Sequence, residues 1–283
     1  MKAKFISAFL MLTLASMACG FNVNLPQAAT PGPLVTDSIK ILVPETGGTN
    51  LKLSFGAGEM KLSPGAENGL VDGTAKYNYD QFKPVIQTEA GDVTVKMGDV
   101  SFDNFLAFNQ LKNEWDFKLG KDPMALSIDA GAYDATFELG GLSLTNLTIT
   151  DGAADATLSF AEPNPSEMTL LHYETGASNI KMEGLANANF NTMTFKSGAG
   201  DYTLDFSGDL KRDATVNIDT GLSNVILVIP DGVNAVVTVD SGVSNIDAGP
   251  GWSQNGKRYV NNGSGPTLTV LVDMGAGNLT LTK

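Results

Sequence analysis

Hydrophobic and polar residues alternate in short stretches along most of this chain, and glycines interrupt the alternation at regular intervals. Two such stretches are Asp201 to Phe206 and Ala214 to Asp219. Because successive side chains of a strand point to opposite faces, this alternation predicts half-buried β-strands. No helix of ordinary length fits between the stretches, so the pattern predicts an all-β fold.

A short motif recurs along the second half of the chain. Each copy reads Gly, a small residue, any residue, Asp or Asn, and then alternating strand residues. The copies begin at Gly131, Gly152, Gly176, Gly198, Gly221, Gly242 and Gly275. They follow one another at about 22 residues, apart from a last step of 33. Such a period is typical of stacked units, and two short strands with two turns fit it. We therefore expect a parallel β-solenoid (a single-chain β-helix) whose coils pair at about 4.8 Å.

Equivalent repeat positions form columns with separate roles in this prediction. Alternate apolar residues point into a narrow core, and one coil cannot bury its apolar face without its neighbours. The turn glycines either hold a positive φ or let neighbouring backbones approach closely. The Asp/Asn column is explained by bonds to nearby backbone and by amide hydrogen bonds shared along the stack. The predicted inward residues are Phe137, Leu158, Ile180, Met182, Leu204, Val225, Leu227 and Ile246 on one wall, and Val216, Ile218, Val237, Val239, Val270 and Val272 on another.

The N-terminus has the pattern of an export signal. Two lysines precede an apolar run that ends at Leu14, and the run is shorter than the roughly 20 residues that span a bilayer. The one cysteine, Cys19, follows Ser16-Met17-Ala18. This resembles a bacterial lipobox, although Ser16 stands where that pattern has Leu, Val or Ile. The resemblance implies a lipid anchor on Cys19; cleavage after Ala18 without lipid, and an uncleaved anchor helix, are the alternatives.

The chain divides into four predicted segments. These are a signal peptide (1–18), a Pro-rich, lipid-anchored tether (19–38), an N-terminal β subdomain (39–120) and the solenoid repeat domain (121–283). The β subdomain is expected to cover the first coil, with strands at Leu51 to Phe55, Glu59 to Leu62, Thr74 to Tyr79, Val85 to Thr88 and Val93 to Met97. Phe102 to Lys112 is predicted to be a short helix or a loop. The last strand, Thr280 to Lys283, is expected to be the outer edge of the final coil and a candidate contact site.

Composition excludes several function classes. Lys and Arg number 18 against 31 Asp and Glu, giving a net charge of −13, whereas nucleic-acid binding needs clustered positive charge. One Cys and one His exclude a disulfide framework, a zinc finger and a His-based catalytic triad. We expect no cofactor. His172 is interpreted as a wall or surface residue.

Carboxylates recur two residues before the turn glycines. They are Asp129, Glu174, Asp219, Asp240 and Asp273. A column of like charges at rung spacing repels itself unless cations or solvent screen it. Asp129, Asp219, Asp240 and Asp273 are therefore weak calcium candidates, and a solvated acidic face is the alternative.

The 33-residue step contains an insertion, Gly249 to Pro266. It combines Trp252, Lys257, Arg258 and Tyr259. We expect its aromatic side chains to be exposed, together with positive charge on an acidic protein. Aromatic residues and Arg are enriched at interfaces. The insertion is thus a candidate recognition loop, or alternatively a loop whose Trp252 caps the core.

Three stretches resemble the bacterial toast-rack domains: Asn113 to Gly120, Leu126 to Ala132, and Gly140 to Leu142. The chain is also similar to related adhesin-like β-solenoids, in which an aromatic-bearing insertion precedes a closing Gly-x-Gly strand. Here Trp252 and Tyr259 match the insertion, and Gly275 to Leu281 matches the closing strand. The resemblance covers about residues 39 to 283. It implies a β-solenoid without catalytic residues, of a kind found in exported envelope proteins and in cell-wall-active-antibiotics response regulators.

These observations predict a non-enzymatic protein anchored on the outer face of the cell envelope. Its expected role is binding or scaffolding, adhesin-like or in sensing envelope stress, with the membrane and an unknown envelope protein or glycan as partners. A polysaccharide-active β-helix enzyme is one alternative, which requires paired carboxylates about 5 to 10 Å apart in a cleft. A purely structural envelope protein is another.

Overall fold

Each glycine-led repeat forms one long strand, in a computed structural model that describes residues 31–45, 48–98 and 110–283. The two short strands predicted per coil are the two halves of this long strand. Across Gly131 the buried positions shift from even to odd residue numbers, so the strand turns there and both halves keep an apolar side toward the core. The strands, in chain order, are β1 (Val35–Ile41), β2 (Thr49–Pro64), β3 (Val71–Tyr77), β4 (Pro84–Glu89), β5 (Asp92–Met97), β6 (Asn113–Leu119), β7 (Met124–Glu138), β8 (Leu144–Ser159), β9 (Met168–Glu183), β10 (Phe190–Asp205), β11 (Ala214–Val228), β12 (Asn234–Ala248), β13 (Ser253–Asn255), β14 (Arg258–Asn261) and β15 (Thr267–Thr282).

The long strands stack in parallel and form the rungs of one large sheet. Their spatial order is β2-β7-β8-β9-β10-β11-β15-β12. Equivalent repeat positions pair in register; for example, Asp201 of β10 lies beside Asn179 of β9 and Asn224 of β11. The predicted all-β stack of coils is confirmed, as a mostly parallel sheet that does not close on itself. Only short 3-10 helices, at Asp80–Phe82 and Leu185–Ala188, interrupt the strands in the described ranges.

The last strand of the chain is an interior rung. β15 pairs with β11 on one side and with β12 on the other. The prediction that Thr280 to Lys283 forms the outer edge is therefore wrong, because β12 holds that place. The insertion Gly249 to Pro266 carries the chain around β12, so that the apolar residues of β15 become paired and covered from both sides.

Five further strands among the described residues extend the N-terminal end of the stack. β5 and β6 pair in parallel with β2, and the strands beyond them pair antiparallel. β5 and then β4 continue the sheet from the first half of β2, and β6, β3 and β1 continue it from the second half. The strands predicted in this region are confirmed, except that β3 begins earlier and ends at Tyr77 rather than at Tyr79. The two segments from Leu51 to Leu62 are the halves of β2. The division at residue 120 stays a prediction, and the sheet continues across it through β2 and β7. The signal peptide, Cys19 and the larger part of the Phe102 to Lys112 segment lie outside the described residues.

The C-terminal end of the stack is extended on one half only. β14 pairs with Ala235–Thr238 in the first half of β12, and β13 pairs with β14. Among the described strands, none pairs with the outer side of Val243–Ala248 in the second half. We call this segment the open half-rung.

Apolar side chains from both halves of each rung fill the core. Trp115 stacks on Phe117 with ring centroids 5.1 Å apart and meets Phe55 edge-on at 5.0 Å. In mid-stack, Phe195 meets Tyr202 at 5.0 Å. The predicted inward residues are buried, except Ile246, which is half-buried beside the outer edge. Since each buried large side chain contributes about 1.5–3 kcal/mol, stacking stabilises the rungs jointly.

The turn glycines form an unbroken column that allows close backbone approach. A methyl group on Gly176 would lie 2.4 Å from the carbonyl oxygen of Gly152, and one on Gly198 would lie 2.6 Å from that of Gly176. Of the two predicted explanations for these glycines, close approach is the correct one. A positive φ occurs instead two residues later, at Gly58, Gly200 and Gly277.

Candidate functional site

A groove of about 690 Å³ runs across the turns of neighbouring rungs. We call it the turn groove. Its lining residues are small or polar and follow the turn glycines: Gly58, Ala132, Tyr133, Asp134, Ala153, Ala154, Asp155, Ala177, Ser178, Asn179, Ala199 and Gly200. Because the same repeat position recurs at each rung, the groove is a long, solvent-open channel without a deep cavity.

The Asp/Asn column continues beyond the turn groove, and three of its members form one rim of the groove: Asp134, Asp155 and Asn179. Asn224 donates a hydrogen bond from Nδ2 to Oδ1 of Asp201 at 2.7 Å, and Asn278 donates from Nδ2 to Oδ1 of Asn224 at 2.7 Å. The predicted sharing of side-chain hydrogen bonds along the stack is confirmed for these rungs. Amide groups can both donate and accept, so they continue the ladder where carboxylates alone would repel.

A buried carboxylate lies beneath the floor of the turn groove. Asp151 is 7% exposed. Its Oδ2 accepts hydrogen bonds from the hydroxyl of Tyr173 at 2.9 Å and from that of Tyr133 at 3.3 Å. Its Oδ1 accepts from Oγ1 of Thr175 at 2.5 Å, and that hydroxyl lies 2.5 Å from Oγ of Ser178. Hydroxyl groups on the two rungs that flank β8 therefore converge on one carboxylate.

Burial sets the protonation of this cluster. Loss of water raises the pKa of Asp151 above its ordinary value, and hydrogen bonds from Thr175 and Tyr173 oppose that effect. Burial also raises the pKa of Tyr133 and Tyr173. This cluster was not among the sites predicted from the sequence. The available signal was a carboxylate directly before Gly152, where neighbouring repeats carry a small residue.

Asp151→Asn should change how stability depends on pH. A raised pKa in the folded chain means that the folded protein holds a proton which the unfolded chain releases above pH 3.8. This contribution to stability is complete below pH 3.8 and is lost as the pH rises through the folded pKa. The melting temperature of Asp151→Asn, measured relative to the wild type by circular dichroism, should therefore increase as the pH rises from about 4 to 7.

Asp134→Asn is the matched control for that measurement. Asp134 is an exposed carboxylate on the groove rim, so its variant should follow the wild-type pH curve. Parallel curves for Asp151→Asn and the wild type would contradict the account of the buried cluster.

Three residues of the predicted acidic column pair in register on neighbouring rungs. Asp219, Asp273 and Asp240 occupy consecutive rungs, and Nζ of Lys257 lies 2.7 Å from Oδ1 of Asp240. This contact lowers the pKa of Asp240. Asp129 is paired separately with Lys52, at 2.6 Å. Among residues 31–45, 48–98 and 110–283, no group of three or more His, Cys, Asp or Glu side chains is arranged to hold a metal ion. Calcium binding stays a prediction.

The insertion is a β-hairpin that lies along the first half of β12. Tyr259 is 5% exposed and accepts a hydrogen bond from Nε2 of Gln254 at 3.0 Å. The expectation that Tyr259 is exposed is wrong, because alternation within β14 turns it toward the core. Trp252 packs half-buried against the core, and its Nε1 has no hydrogen-bond partner. Lys257 and Arg258 are exposed, and recognition by this hairpin stays a prediction.

The histidine lies apart from the turn groove. Nε2 of His172 is 3.4 Å from Oε2 of Glu174, two residues away on β9. The side chains that bond to Asp151 carry hydroxyl groups, and a hydroxyl group is too weakly basic to act as a general base at neutral pH.

In the described part of the chain, no helix is long and apolar enough to cross a membrane.

Comparison with known proteins places the first half of the chain in a family. Residues 30–170 match the model described as "N-terminal domain of toast_rack, DUF2154". No curated protein sequence matches the chain.

Three solved structures illustrate the structural likeness. A "putative cell adhesion protein" from Clostridium sporogenes is 20% identical, with 88% of this chain and 99% of that chain covered and a TM-score of 0.47. A "putative adhesin" from Bacteroides fragilis is 12% identical, with 88% and 97% covered and a TM-score of 0.35. A "putative lipid binding protein" from Parabacteroides distasonis is 11% identical, with 89% and 98% covered and a TM-score of 0.39. All three TM-scores are below 0.5.

Proposed function

The chain belongs, through residues 30–170, to the toast-rack family, and from that premise we propose that it is a non-enzymatic binding or scaffolding protein of the cell surface. The observation that carries this proposal is the repeated outer surface of the stack. The turn groove presents small residues from β2 and from β7 to β10, and the hydrogen-bonded Asp/Asn column continues along the later rungs. A rigid ladder of this kind offers an extended surface to a large partner, such as an envelope protein or a glycan.

We also propose that the chain is exported and anchored by a lipid on Cys19. The support is the export pattern of residues 1–18 and the position of the one cysteine. Cys19→Ala should move the protein from the membrane fraction to the soluble fraction of the producing cell. Metabolic labelling with a fatty acid should mark the wild type and not the variant. If the wild type incorporated no fatty acid and Cys19→Ala remained in the membrane fraction, these results would contradict the lipid anchor.

The binding function is tested on envelopes from cells that lack the protein. The full chain, fluorescently labelled and purified in mild detergent, should bind these envelopes saturably, and unlabelled protein should compete. Cys19→Ala protein should retain this competition, because the binding surface lies in the stack. Absence of saturable binding, with no defect after gene deletion except in envelope shape, would favour the purely structural alternative.

One observation favours the enzyme alternative enough to test it. Asp134 and Asp155 lie in register on neighbouring rungs, both on the rim of the turn groove. At a rung spacing of about 4.8 Å, their separation is near that of retaining glycosidases. Their side chains are exposed, whereas a raised carboxyl pKa for acid catalysis is usually achieved by burial. Incubation with envelope polysaccharide should release no reducing ends. Release that disappears in Asp155→Asn would establish the enzyme instead.

A further inference from the structure

We propose that the open half-rung, Val243–Ala248, is a docking site for an extended segment of a partner protein that carries alternating apolar and basic side chains. The partner segment would add one strand to the sheet. This inference rests on the proposed binding function and specifies its site and the partner's chemistry.

The ends of the stack are unequal. The stack has four half-rung ends, two at β2 and two at β12, and further strands of the described chain extend three of them. β5 and β6 pair in parallel with β2, and β14 pairs antiparallel with β12. The fourth end is the open half-rung. Since β14 and β13 lengthen the sheet beside the first half of β12, the two halves end at different levels. Two further strands therefore lie beyond the first half of β12, and none of the described strands lies beyond the open half-rung.

The other outer strands carry features that oppose pairing with a further strand. β1 contains Asp37 and Lys40, β4 begins at Pro84 and ends at Glu89, and β13 has three residues. Charge, proline and shortness are the usual means by which natural sheets protect their edges. Asp247 is the one charged residue in the open half-rung.

The backbone groups of the open half-rung can be assigned to sides. The N–H of Gly249 donates to the carbonyl of Leu281 in β15 at 2.8 Å. Because N–H groups alternate between the two sides of a strand, those of Ser244, Ile246 and Ala248 point away from β15. Three successive outward amides are the pattern that strand addition uses for affinity.

Apolar groups and an unpaired polar atom lie at this edge. Val243 is 81% exposed, and Leu222 on the same column two rungs inward is 66% exposed. Within the open half-rung, the buried Oγ of Ser244 has no hydrogen-bond partner among the described residues. Ile246 is half-buried. A further strand with an apolar inner side would cover Ile246 and continue the core.

Charge selects the outer side of the partner strand. The side chains of the open half-rung that face solvent, on the side of the sheet away from the core, are Val243, Asn245 and Asp247. The whole chain carries a net charge of −13. Basic side chains on the outer face of the partner strand would pair with Asp247 and follow the negative field of the stack.

A short peptide provides the probe. The second half of β15 already pairs with the inner side of β12, so the acetylated peptide Gly275–Lys283 has the correct apolar alternation. In the basic form of this peptide, Asn278 and Thr280 are replaced by Lys. We expect the basic form to bind the full chain more tightly than the native peptide and to slow hydrogen exchange at Ser244, Ile246 and Ala248. The advantage of the basic form should decrease in 0.5 M salt.

Two matched substitutions locate the binding. Ser244→Pro removes one outward amide without removing a rung hydrogen bond, and should weaken peptide binding by about tenfold or more. Ser38→Pro is the control. The carbonyl of Ile41 accepts from Leu70 toward β3, so by alternation the amide of Ser38 also points outward, but at the opposite end of the stack. Its variant should bind the peptide as the wild type does.

Each outcome decides the proposal. Equal binding to the wild type and Ser244→Pro, or no binding of either peptide to the wild type, would overturn it. Self-association of the wild type that Ser244→Pro abolishes would assign the edge to a second copy and also overturn it. Saturable envelope binding that survives in Ser244→Pro would refute this site while leaving the proposed function intact.

Discussion

Gly176→Ala should lower the melting temperature by about 6–12 °C. The added methyl carbon would lie 2.4 Å from the carbonyl oxygen of Gly152, a distance that forces neighbouring backbones apart. Overpacking costs about 1–3 kcal/mol, and we take the upper value of about 3 kcal/mol because rigid backbone must move. For a chain of this size, each kcal/mol corresponds to about 2–4 °C. Thermal unfolding followed by circular dichroism measures the loss.

Alanine substitutions at two other glycines test whether the loss of stability depends on the distance to the neighbouring backbone. Gly152→Ala places its methyl carbon 3.0 Å from the oxygen of Gly131 and should cost less than Gly176→Ala. At Gly265 the nearest such atom is 3.9 Å away, so the added methyl group meets no close contact. Gly265→Ala should leave stability unchanged or raise it slightly, because alanine lowers the conformational entropy of the unfolded chain. If all three variants melted alike, contact between the turn backbones would not limit rung spacing.

Removal of residues 267–283 should unfold the C-terminal end of the stack. β15 lies between β11 and β12, and its six inward apolar residues are buried: Leu268, Val270, Val272, Met274, Leu279 and Leu281. At about 1.5 kcal/mol or more each, their loss amounts to roughly 9 kcal/mol, comparable with the whole stability of many proteins. Hydrogen exchange should show β12 and β14 unprotected, while β7, β8 and β9 keep their protection.

Deletion of Lys283 alone is the control for this truncation. That residue contributes an ion pair with Asp231 at 2.5 Å between exposed groups, and such pairs contribute little. Retained protection of β12 in the chain that lacks residues 267–283 would show that β12 does not depend on β15.

The repeat made most of the fold predictable. Glycine spacing and strand alternation specify which residues share a column, since parallel in-register pairing places equivalent positions side by side. The buried wall residues from Phe137 to Leu227 follow from that rule. The amide ladder through Asn224 follows from it as well.

Strand order was not predictable from the period. A repeat specifies what one rung pairs with but not which rung is the neighbour, and β11 presents the same pattern to β12 and to β15. The longer step before Gly275 indicated an insertion, while its path around β12 depends on the packing of Tyr259 and Trp252. The buried position of Asp151 was missed for a related reason, since its environment comes from hydroxyls on neighbouring rungs.

Disulfide cross-linking of the Asn column tests the central claim that the rungs stack with β15 between β11 and β12. In a Cys19→Ala background, cysteines are placed pairwise at Asn224, Asn245 and Asn278, which lie in register. Neighbouring rungs are about 4.8 Å apart, and rungs separated by one other are about 9.6 Å apart; disulfides require Cα atoms within about 7 Å. The account predicts rapid oxidation of the 224/278 and 245/278 pairs and none of the 224/245 pair. Efficient cross-linking of 224/245, or failure of all three pairs in folded protein, would contradict it.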